Sequence, residues 1–222
     1  MPNYNIKISD GSRNEVIEYI RQQRTGGRAF NVVDVGGSHG GWSSNYVNAI
    51  VDFNDCSAEQ NTLKIKHFSC DITHPDGWKD VLLHVAANGK FDFCICTHTL
   101  EDIINPAYVC EQIQRIANAG YIAVPSKYRE LSRFECGSNS YRGYIHHRWI
   151  FDITGNNVFM GYPKINYLDS TTKFDTIADL DVNKSDLSFF WTDKIDIAYI
   201  NNNYLGPNVE SVINYYNLLL QK

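Results

Sequence analysis

A glycine-rich turn that follows a β-branched run is the first group of residues whose types suggest chemistry. Residues 36–41 hold four glycines in six positions, and Asp34 precedes them at the end of a strand predicted over 29–35. Glycine tolerates positive φ and lets a ligand approach the backbone, and a short helix predicted over 42–46 would add free N–H groups. A P-loop is excluded because Trp42 stands where that motif needs lysine, and the GxGxxG spacing of a dinucleotide site is absent. The spacing that remains is DxGxxxG.

Further polar positions follow the next predicted strands in chain order. Asp52 ends the second strand, Asp71 ends the third, and Thr97 with His98 ends the fourth. In doubly wound sheets, ligands bind outside the carboxyl ends of the strands, at the point where the strand order reverses. We therefore expect these side chains to lie at the same sheet edge as the glycine turn.

Two stretches resemble motifs of the class I S-adenosylmethionine-dependent methyltransferases. VVDVGGSHG is similar to their first motif, usually written D/E-x-G-x-G-x-G, and FDFCICTHTLEDIINP to their fourth, often FDxVxxxxVLEHxxDP. The resemblance covers about residues 28–126. Ser38 replaces the middle glycine, and Asp102 stands where the family often has histidine. The resemblance implies methyl transfer from S-adenosylmethionine to a nucleophilic atom of an acceptor.

The same resemblance implies a role for each matched residue. The methionine part of the cofactor would be held by Asp34, Gly36, Gly37, Ser38 and Gly40. Asp52 would bind the ribose, because a carboxylate can accept both hydroxyl hydrogens. Asp71 and Ile72 would hold the adenine, and Thr97 and His98 would face the sulfonium.

Local hydrogen bonding offers an alternative for several of these residues. The alternatives are Asp34 as a cap of the following helix, Asn54 or Asp55 in the ribose role of Asp52, Asp71 as a cap of the helix near Pro75, and His98 bonded within its own turn.

The basic segment, residues 126–149, follows the fifth predicted strand. It carries five lysines and arginines against two glutamates, a local charge of +3, so the rest of the chain carries −8. Because loops over a rigid sheet usually carry specificity, we expect residues 126–163 to form a substrate cap. The predicted acceptor contacts are Arg129, Tyr141, Arg142, Arg148 and Trp149. His146 or His147 is the predicted base, since imidazole titrates near neutral pH. The alternative is a solvated loop whose arginines pair with nearby acids.

Cysteine and histidine positions do not favour a metal site. Cys94 and Cys96 lie in an apolar run and are expected to be small buried side chains. A zinc site built from the two adjacent histidines with Cys136 and His98 is disfavoured, because neighbouring side chains diverge on a strand. We predict no metal.

Alternating strands and helices would position these residues. Strands are predicted over 29–35, 49–54, 65–72, 91–97 and 120–126, and helices over 12–23, from Pro75 to Gly89, over 105–118 and over 208–220. Ser12 and Glu15 are spaced as a capping box. Hairpins are predicted around 155–157 and 192–193, the second giving an antiparallel C-terminal strand pair. The pattern predicts an α/β fold with a doubly wound, Rossmann-like, mostly parallel sheet.

Composition limits the function classes. The 222 residues, 43% hydrophobic and 20% charged, suit one domain over 1–222, and a net charge of −5 disfavours a broad nucleic-acid surface. No apolar run approaches the ~20 residues of a membrane span, and the polar N-terminus lacks the apolar region of a signal peptide, so we expect no membrane partner and a cytoplasmic location.

The sequence thus predicts a methyltransferase acting on a small-molecule or glycan acceptor through an O or N nucleophile, with an acidic acceptor favoured by the basic segment. One alternative is a catalytically silent binding or scaffold protein of the same fold, which Ser38 and Asp102 permit. The other is a nucleic-acid methyltransferase that uses the basic segment. The proline-rich motif of amine methylation on bases is missing after the fourth strand, where Thr97-His98-Thr99-Leu100 stands.

Overall fold

The computed structural model describes residues 4–54, 65–134, 140–177, 182–200 and 208–219. The strands are β1 (Asn5–Ser9), β2 (Val32–Val35), β3 (Ala49–Asp52), β4 (Lys66–Ser69), β5 (Phe93–Thr97), β6 (Ala119–Pro125), β7 (Trp149–Ile153), β8 (Phe159–Pro163), β9 (Asp186–Thr192) and β10 (Ile197–Tyr199). The α-helices are α1 (Asn14–Gln23), α2 (Lys79–Asn88), α3 (Pro106–Ile116), α4 (Lys127–Leu131), α5 (Tyr167–Ser170) and α6 (Val209–Leu219).

A seven-stranded sheet in the order β1-β9-β6-β5-β2-β3-β4 forms the centre of the fold. The pairs β2–β3, β3–β4, β2–β5 and β5–β6 are parallel. All four residues of β2 are buried, as are the first four of β5, which is the pattern of a parallel sheet covered on both faces. The strand order reverses between β2 and β5, so the predicted doubly wound sheet is confirmed.

The antiparallel edge of this sheet is built differently from the prediction. Strand β9 pairs antiparallel with β6 on one side and with β1 on the other. The hairpin predicted around 192–193 is wrong, because β10 leaves the main sheet and pairs with β8 instead. The N-terminal strand β1 fills the place expected for the C-terminal strand. Its residues are mostly exposed, which is typical of an edge strand and explains why its hydrophobic pattern is weak.

A second sheet in the order β10-β8-β7 packs beside the first. The hairpin predicted around 155–157 is confirmed by the antiparallel pairing of β7 with β8. Phe151 and Phe159 stack across this hairpin with ring centroids 4.5 Å apart. The predicted C-terminal helix is confirmed as α6, and its buried Val212 and Tyr216 belong to a core cluster with Ile150 of β7.

Two local predictions at helix ends are wrong. Residues 42–46 form successive turns, with Ser44 N donating to Gly41 O and Tyr46 N to Ser43 O, instead of a short helix. Glycine, serine and asparagine are poor helix formers. The hydroxyl groups of Ser43 and Ser44 here donate to the Asp34 carboxylate and to Ser38 O. The capping box also does not form: the N-cap of α1 is Arg13, and Glu15 pairs with Lys7 at 3.1 Å.

Other expectations from the sequence are confirmed. Asn105 caps α3 by accepting from Tyr108 N at 3.0 Å, and Gly89 ends α2 with a φ of 83°. Cys94 and Cys96 are buried in β5, and burial raises the pKa of both thiols. Cys136, which belongs to the disfavoured zinc site, and Asp55, the alternative ribose ligand, lie outside the described residues.

Within the described part of the chain, every helix is too short or too polar to cross a lipid bilayer.

Phe189 of β9 tests the revised edge of the sheet. It is fully buried, with its ring 4.6 Å from Tyr4 and 5.1 Å from Phe159 of the second sheet. We expect Phe189→Ala to lower the free energy of unfolding by about 3–5 kcal/mol in urea titrations, because the truncation leaves a cavity. Phe53→Ala is the matched control, since Phe53 is 73% exposed, and should change stability by less than about 0.5 kcal/mol. Equal effects of the two variants would contradict the position of β9.

Candidate functional site

The glycine turn joins β2 to β3 at the carboxyl edge of the sheet. Gly36 has a φ of 79°, and a Cβ there would lie 2.2 Å from Thr99 Oγ1. A Cβ on Gly37 would lie 2.3 Å from the carboxylate of Asp34. The missing side chains of these two glycines therefore make room for protein side chains, while a contact of their backbone with the cofactor stays a prediction. Gly40 has a φ of 74° and nothing within 4 Å of its Cβ position, so the open side of the turn is at Gly40.

His39 gives this turn an unusual polar character. It is partly buried beside the exposed Ser38, and neither of its ring nitrogens has a hydrogen-bond partner among the described residues. Unpaired polar atoms that are shielded from water are costly, so they favour a bound group that supplies a donor or an acceptor. The carbonyl of Ser38 is occupied by Gly41 N and Ser44 Oγ.

Asp34 does not reach the ligand side of the turn. Only 2% of it is exposed, and its carboxylate accepts a hydrogen bond from Ser43 Oγ while it packs against Gly37. Burial raises its pKa to about 6, although the bond from Ser43 opposes the shift. The implied contact of Asp34 with the methionine part is therefore wrong, and Asp34 instead fixes the shape of the turn.

Asp52 and Ile72 remain at positions suited to a ligand. Asp52 ends β3 beside the glycine turn and is half-buried, and its Oδ1 accepts from Asn54 N and Nδ2 at 2.9 and 2.8 Å. Ile72 is buried just beyond β4. Asp71 is exposed, and its Oδ1 accepts from Thr73 N and Oγ1, which lower its pKa. The alternative that Asp71 caps the helix near Pro75 is wrong, because His74 caps the 3₁₀ turn that begins there.

His98 lies between two carboxylates just after β5. Its φ is 51°, its Nε2 is 3.0 Å from Asp186 Oδ2, and its Nδ1 is 3.5 Å from Glu101 Oε1. Burial alone would lower the pKa of His98, but the bonds to Asp186 and Glu101 outweigh it and raise the pKa to about 9. His98 is therefore an imidazolium at neutral pH and cannot act as a base. Thr97, partly buried at the end of β5, accepts from Thr99 Oγ1 through its carbonyl.

The adjacent histidines of the basic segment converge, contrary to the expectation. They lie in a turn before β7, and their ring centroids are 4.5 Å apart. His147 is buried, and its Nδ1 is 2.6 Å from Glu130 Oε1. Lys164 holds the other oxygen of Glu130 at 2.8 Å. Asp102 Oδ1 lies 3.8 Å from His146 Nε2 and 3.7 Å from His147 Nε2.

The predicted acceptor contacts divide into buried and accessible residues. Arg142 is 1% exposed, and its guanidinium donates to three backbone carbonyls and to Asp175, so a substrate contact for Arg142 is wrong. Trp149 is buried in β7 and donates through Nε1 to Ile103 O. The accessible ones are Tyr141, Arg148, whose Nε bonds Asp102 O, and Arg129, whose guanidinium bonds Tyr144 Oη at 2.6 Å.

Two clefts open beside these groups. One of about 240 Å³ is lined by His98, Asp186, Arg129, Tyr144, Arg13 and neighbouring residues. A wider one of about 510 Å³ is lined by His146, His147, Arg148, Trp149, Lys164 and neighbouring residues. The structure thus brings the predicted histidines to clefts, with His98 in one and the histidine pair in the other.

Four carboxylates that contact the histidines were not predicted to do so from the sequence: Glu101, Asp102, Glu130 and Asp186. Of these, only Asp102 is singled out by the sequence, as a departure from the family motif. Glu130 and Asp186 meet their histidines across 17 and 88 residues of chain, and no sequence spacing signals such pairs.

The comparisons with known proteins give structural likeness only. No family model and no curated protein sequence matches the chain. A methyltransferase of plantazolicin, crystallised with S-adenosylhomocysteine, is 11% identical with a TM-score of 0.43, over 82% of this chain and 87% of that one. S-adenosylmethionine-dependent methyltransferases from Thermotoga maritima and Mesorhizobium loti are 11% and 12% identical, with TM-scores of 0.40 and 0.38. The match to the Thermotoga maritima protein covers 82% of this chain and 90% of that one. The match to the Mesorhizobium loti protein covers 95% of this chain and 82% of that one.

The protonation of His98 is open to measurement by NMR titration. We expect a pKa of about 9 in the wild type and a lower one in Asp186→Asn, which removes a charged partner. Because the folded pKa is raised, the stabilising contribution is complete below the ordinary value of about 6.5 and is lost as pH rises through 9. Equal pKa values in the two proteins would contradict the ion pair.

Asp34 should also make stability fall as pH rises, but in a more acidic window than His98. A raised carboxyl pKa means that the folded state binds more protons than the unfolded state between pH 3.8 and about 6. Stability should therefore fall as pH rises through that window, by up to about 3 kcal/mol at 1.36 kcal/mol per pKa unit. Urea unfolding of Asp34→Asn and of wild type, each at about pH 4.5 and about pH 7.5, isolates the contribution of the Asp34 carboxyl group to the free energy of unfolding. The same difference between variant and wild type at both pH values would refute it.

Proposed function

We propose that the chain is an S-adenosylmethionine-dependent methyltransferase that acts on a small-molecule or glycan acceptor through an oxygen or nitrogen nucleophile. The observation that carries the proposal is the meeting of the glycine turn and Asp52 at the carboxyl edge, next to the point where the strand order reverses. Crevices at such points are where doubly wound sheets bind nucleotide-like ligands.

The residues at this edge fit an adenosyl ligand. The open space at Gly40 allows a ligand to approach the backbone, and the orphaned nitrogens of His39 need a polar partner. Asp52 has one oxygen committed to Asn54, so its other oxygen would receive the ribose hydroxyls. Buried Ile72 would flank the adenine as an apolar neighbour. The cofactor supplies an electrophilic methyl group, and the protein aligns it with the acceptor.

The acceptor would enter over the cap, residues 126–163. The 510 Å³ cleft there carries Arg148, which suits an acceptor with acidic or hydroxyl groups. Proton removal falls to the histidine pair, because His98 is already protonated. In His147, the bond from Nδ1 to Glu130 leaves the lone pair on Nε2 when Nδ1 carries the proton.

Nucleic acid is a poorer acceptor for this surface. Lys127 pairs with Asp152 at 3.0 Å, and Arg133 and Arg142 both pair with Asp175. Three of the five cations of the basic segment therefore pair with carboxylates of the protein, which leaves only Arg129 and Arg148 to contact phosphates.

Calorimetric titration with S-adenosylmethionine and S-adenosylhomocysteine tests the proposal. We expect micromolar binding to the wild type and a loss of about tenfold to 100-fold in Asp52→Ala, since hydrogen bonds to a charged group contribute ~1.5–3 kcal/mol. Asp80→Ala, which removes an exposed carboxylate from the first turn of α2, is the matched control and should bind like wild type. Absence of binding to wild type, or equal binding by Asp52→Ala, would refute the cofactor assignment. Binding without turnover on any acceptor would support the scaffold alternative.

A further inference from the structure

The strongest cluster outside the cofactor edge joins an aspartate to two histidines. Asp102 Oδ1, His146 Nε2 and His147 Nε2 are close enough to share one ion, since the ligand atoms of this group all lie within 4.8 Å of one another. The two distances from Asp102 are 3.7 and 3.8 Å. A tetrahedral ion with bonds of ~2.1 Å would hold its ligands about 3.4 Å apart. Each histidine nitrogen would therefore move closer to Asp102 by a few tenths of an ångström, and the two histidines, whose ligand atoms lie within 4.8 Å of each other, would also approach one another.

Asp102 Oδ1 has no other function in the structure. The atom is shielded from solvent and has no hydrogen-bond partner among the described residues. Both oxygens of the neighbouring Glu101 are also shielded from solvent and lack a hydrogen-bond partner among the described residues, although Oε1 lies at ion-pair distance, 3.5 Å, from His98 Nδ1. A shielded carboxylate oxygen without a donor is costly unless a cation neutralises it.

Glu130 supplies the supporting contact that a metal-binding histidine needs. Histidine ligands usually donate their second ring N–H to a carboxylate, which fixes the tautomer and the orientation of the ring. His147 Nδ1 lies 2.6 Å from Glu130 Oε1, and Lys164 holds Glu130 Oε2. With the proton on Nδ1, Nε2 keeps its lone pair and lies 3.7 Å from Asp102 Oδ1. Two acceptor atoms at that distance favour a bound cation between them.

We propose that Asp102, His146 and His147 bind one divalent transition-metal ion of the zinc type. Two imidazoles and one carboxylate match the ligand set of sites that keep positions open for an exogenous ligand. The open side faces the 510 Å³ cleft lined by both histidines, where an acceptor hydroxyl would meet the ion. The ion would then take over the activation of the acceptor from direct proton removal by either histidine. Metal binding itself does not depend on the proposed methyl transfer.

The experiment is a titration of the untagged, metal-free protein with Zn²⁺, followed by Co²⁺ as a spectroscopic probe. We expect one Zn²⁺ per chain and a visible Co²⁺ absorption band that reports nitrogen and oxygen ligands. His146→Ala removes an exposed ligand, and Asp102→Asn keeps the shape of the side chain. Each should weaken Zn²⁺ binding at least about tenfold, and Glu130→Gln should weaken it by about 10–100-fold through the supporting contact.

His74→Ala is the matched control. His74 Nδ1 lies 3.9 Å from Asp76 Oδ2 on the surface, so it is a histidine–carboxylate pair without a second histidine. The variant should bind Zn²⁺ like wild type. Less than one Zn²⁺ per chain, or equal binding by wild type and His146→Ala, would overturn the site. Cofactor titration of the metal-free protein is measured separately, so failure of either proposal is distinguishable from failure of the other.

Discussion

The pairing of β2 with β3 on one side and β5 on the other is the constraint on which the rest of the molecule depends. It places the carboxyl ends of three strands that are adjacent in the sheet, β5, β2 and β3, at one edge. The glycine turn, Asp52 and the residues after Thr97 therefore become neighbours. The turn is then fixed from within: Thr99, just after β5, packs on Gly36, and the buried Asp34 packs on Gly37. The backbone of the turn is held in place before any ligand arrives, which lowers the entropy lost on binding.

The sheet could be predicted from the sequence because its signals are local. β-branched runs between helices with clear caps, such as Asn105-Pro106, specify parallel strands without knowledge of their partners. The antiparallel edge could not be predicted in the same way. Whether β9 pairs with β10 or with β1 is decided by packing between residues about 180 positions apart in the sequence. The residues of β1 are mostly exposed, so the strand lacks the hydrophobic pattern that would predict it.

The site divides along the same line. The turn and Asp52 follow from motif spacing, although Asp34 is buried and the missing side chains of Gly36 and Gly37 make room for Thr99 and Asp34. The environment of the histidines could not be predicted from motif spacing, because each ring contacts a carboxylate from a distant element. Asp186 contacts His98, and Glu130 contacts His147. These acids change what the rings can do. One histidine becomes a fixed cation, and the other keeps a lone pair on Nε2, which lies 3.7 Å from Asp102 Oδ1.

The position of β1 has a consequence for how the chain acquires its structure. This strand is the first of the described elements to leave the ribosome, yet its partner Asp186–Thr192 is synthesised after nearly all the others. The parallel strands β2 to β6 can assemble earlier, but the β6 edge stays uncovered until β9 arrives, and β1 waits unpaired throughout synthesis. Such late, long-range closure slows folding and exposes a bare strand edge to self-association.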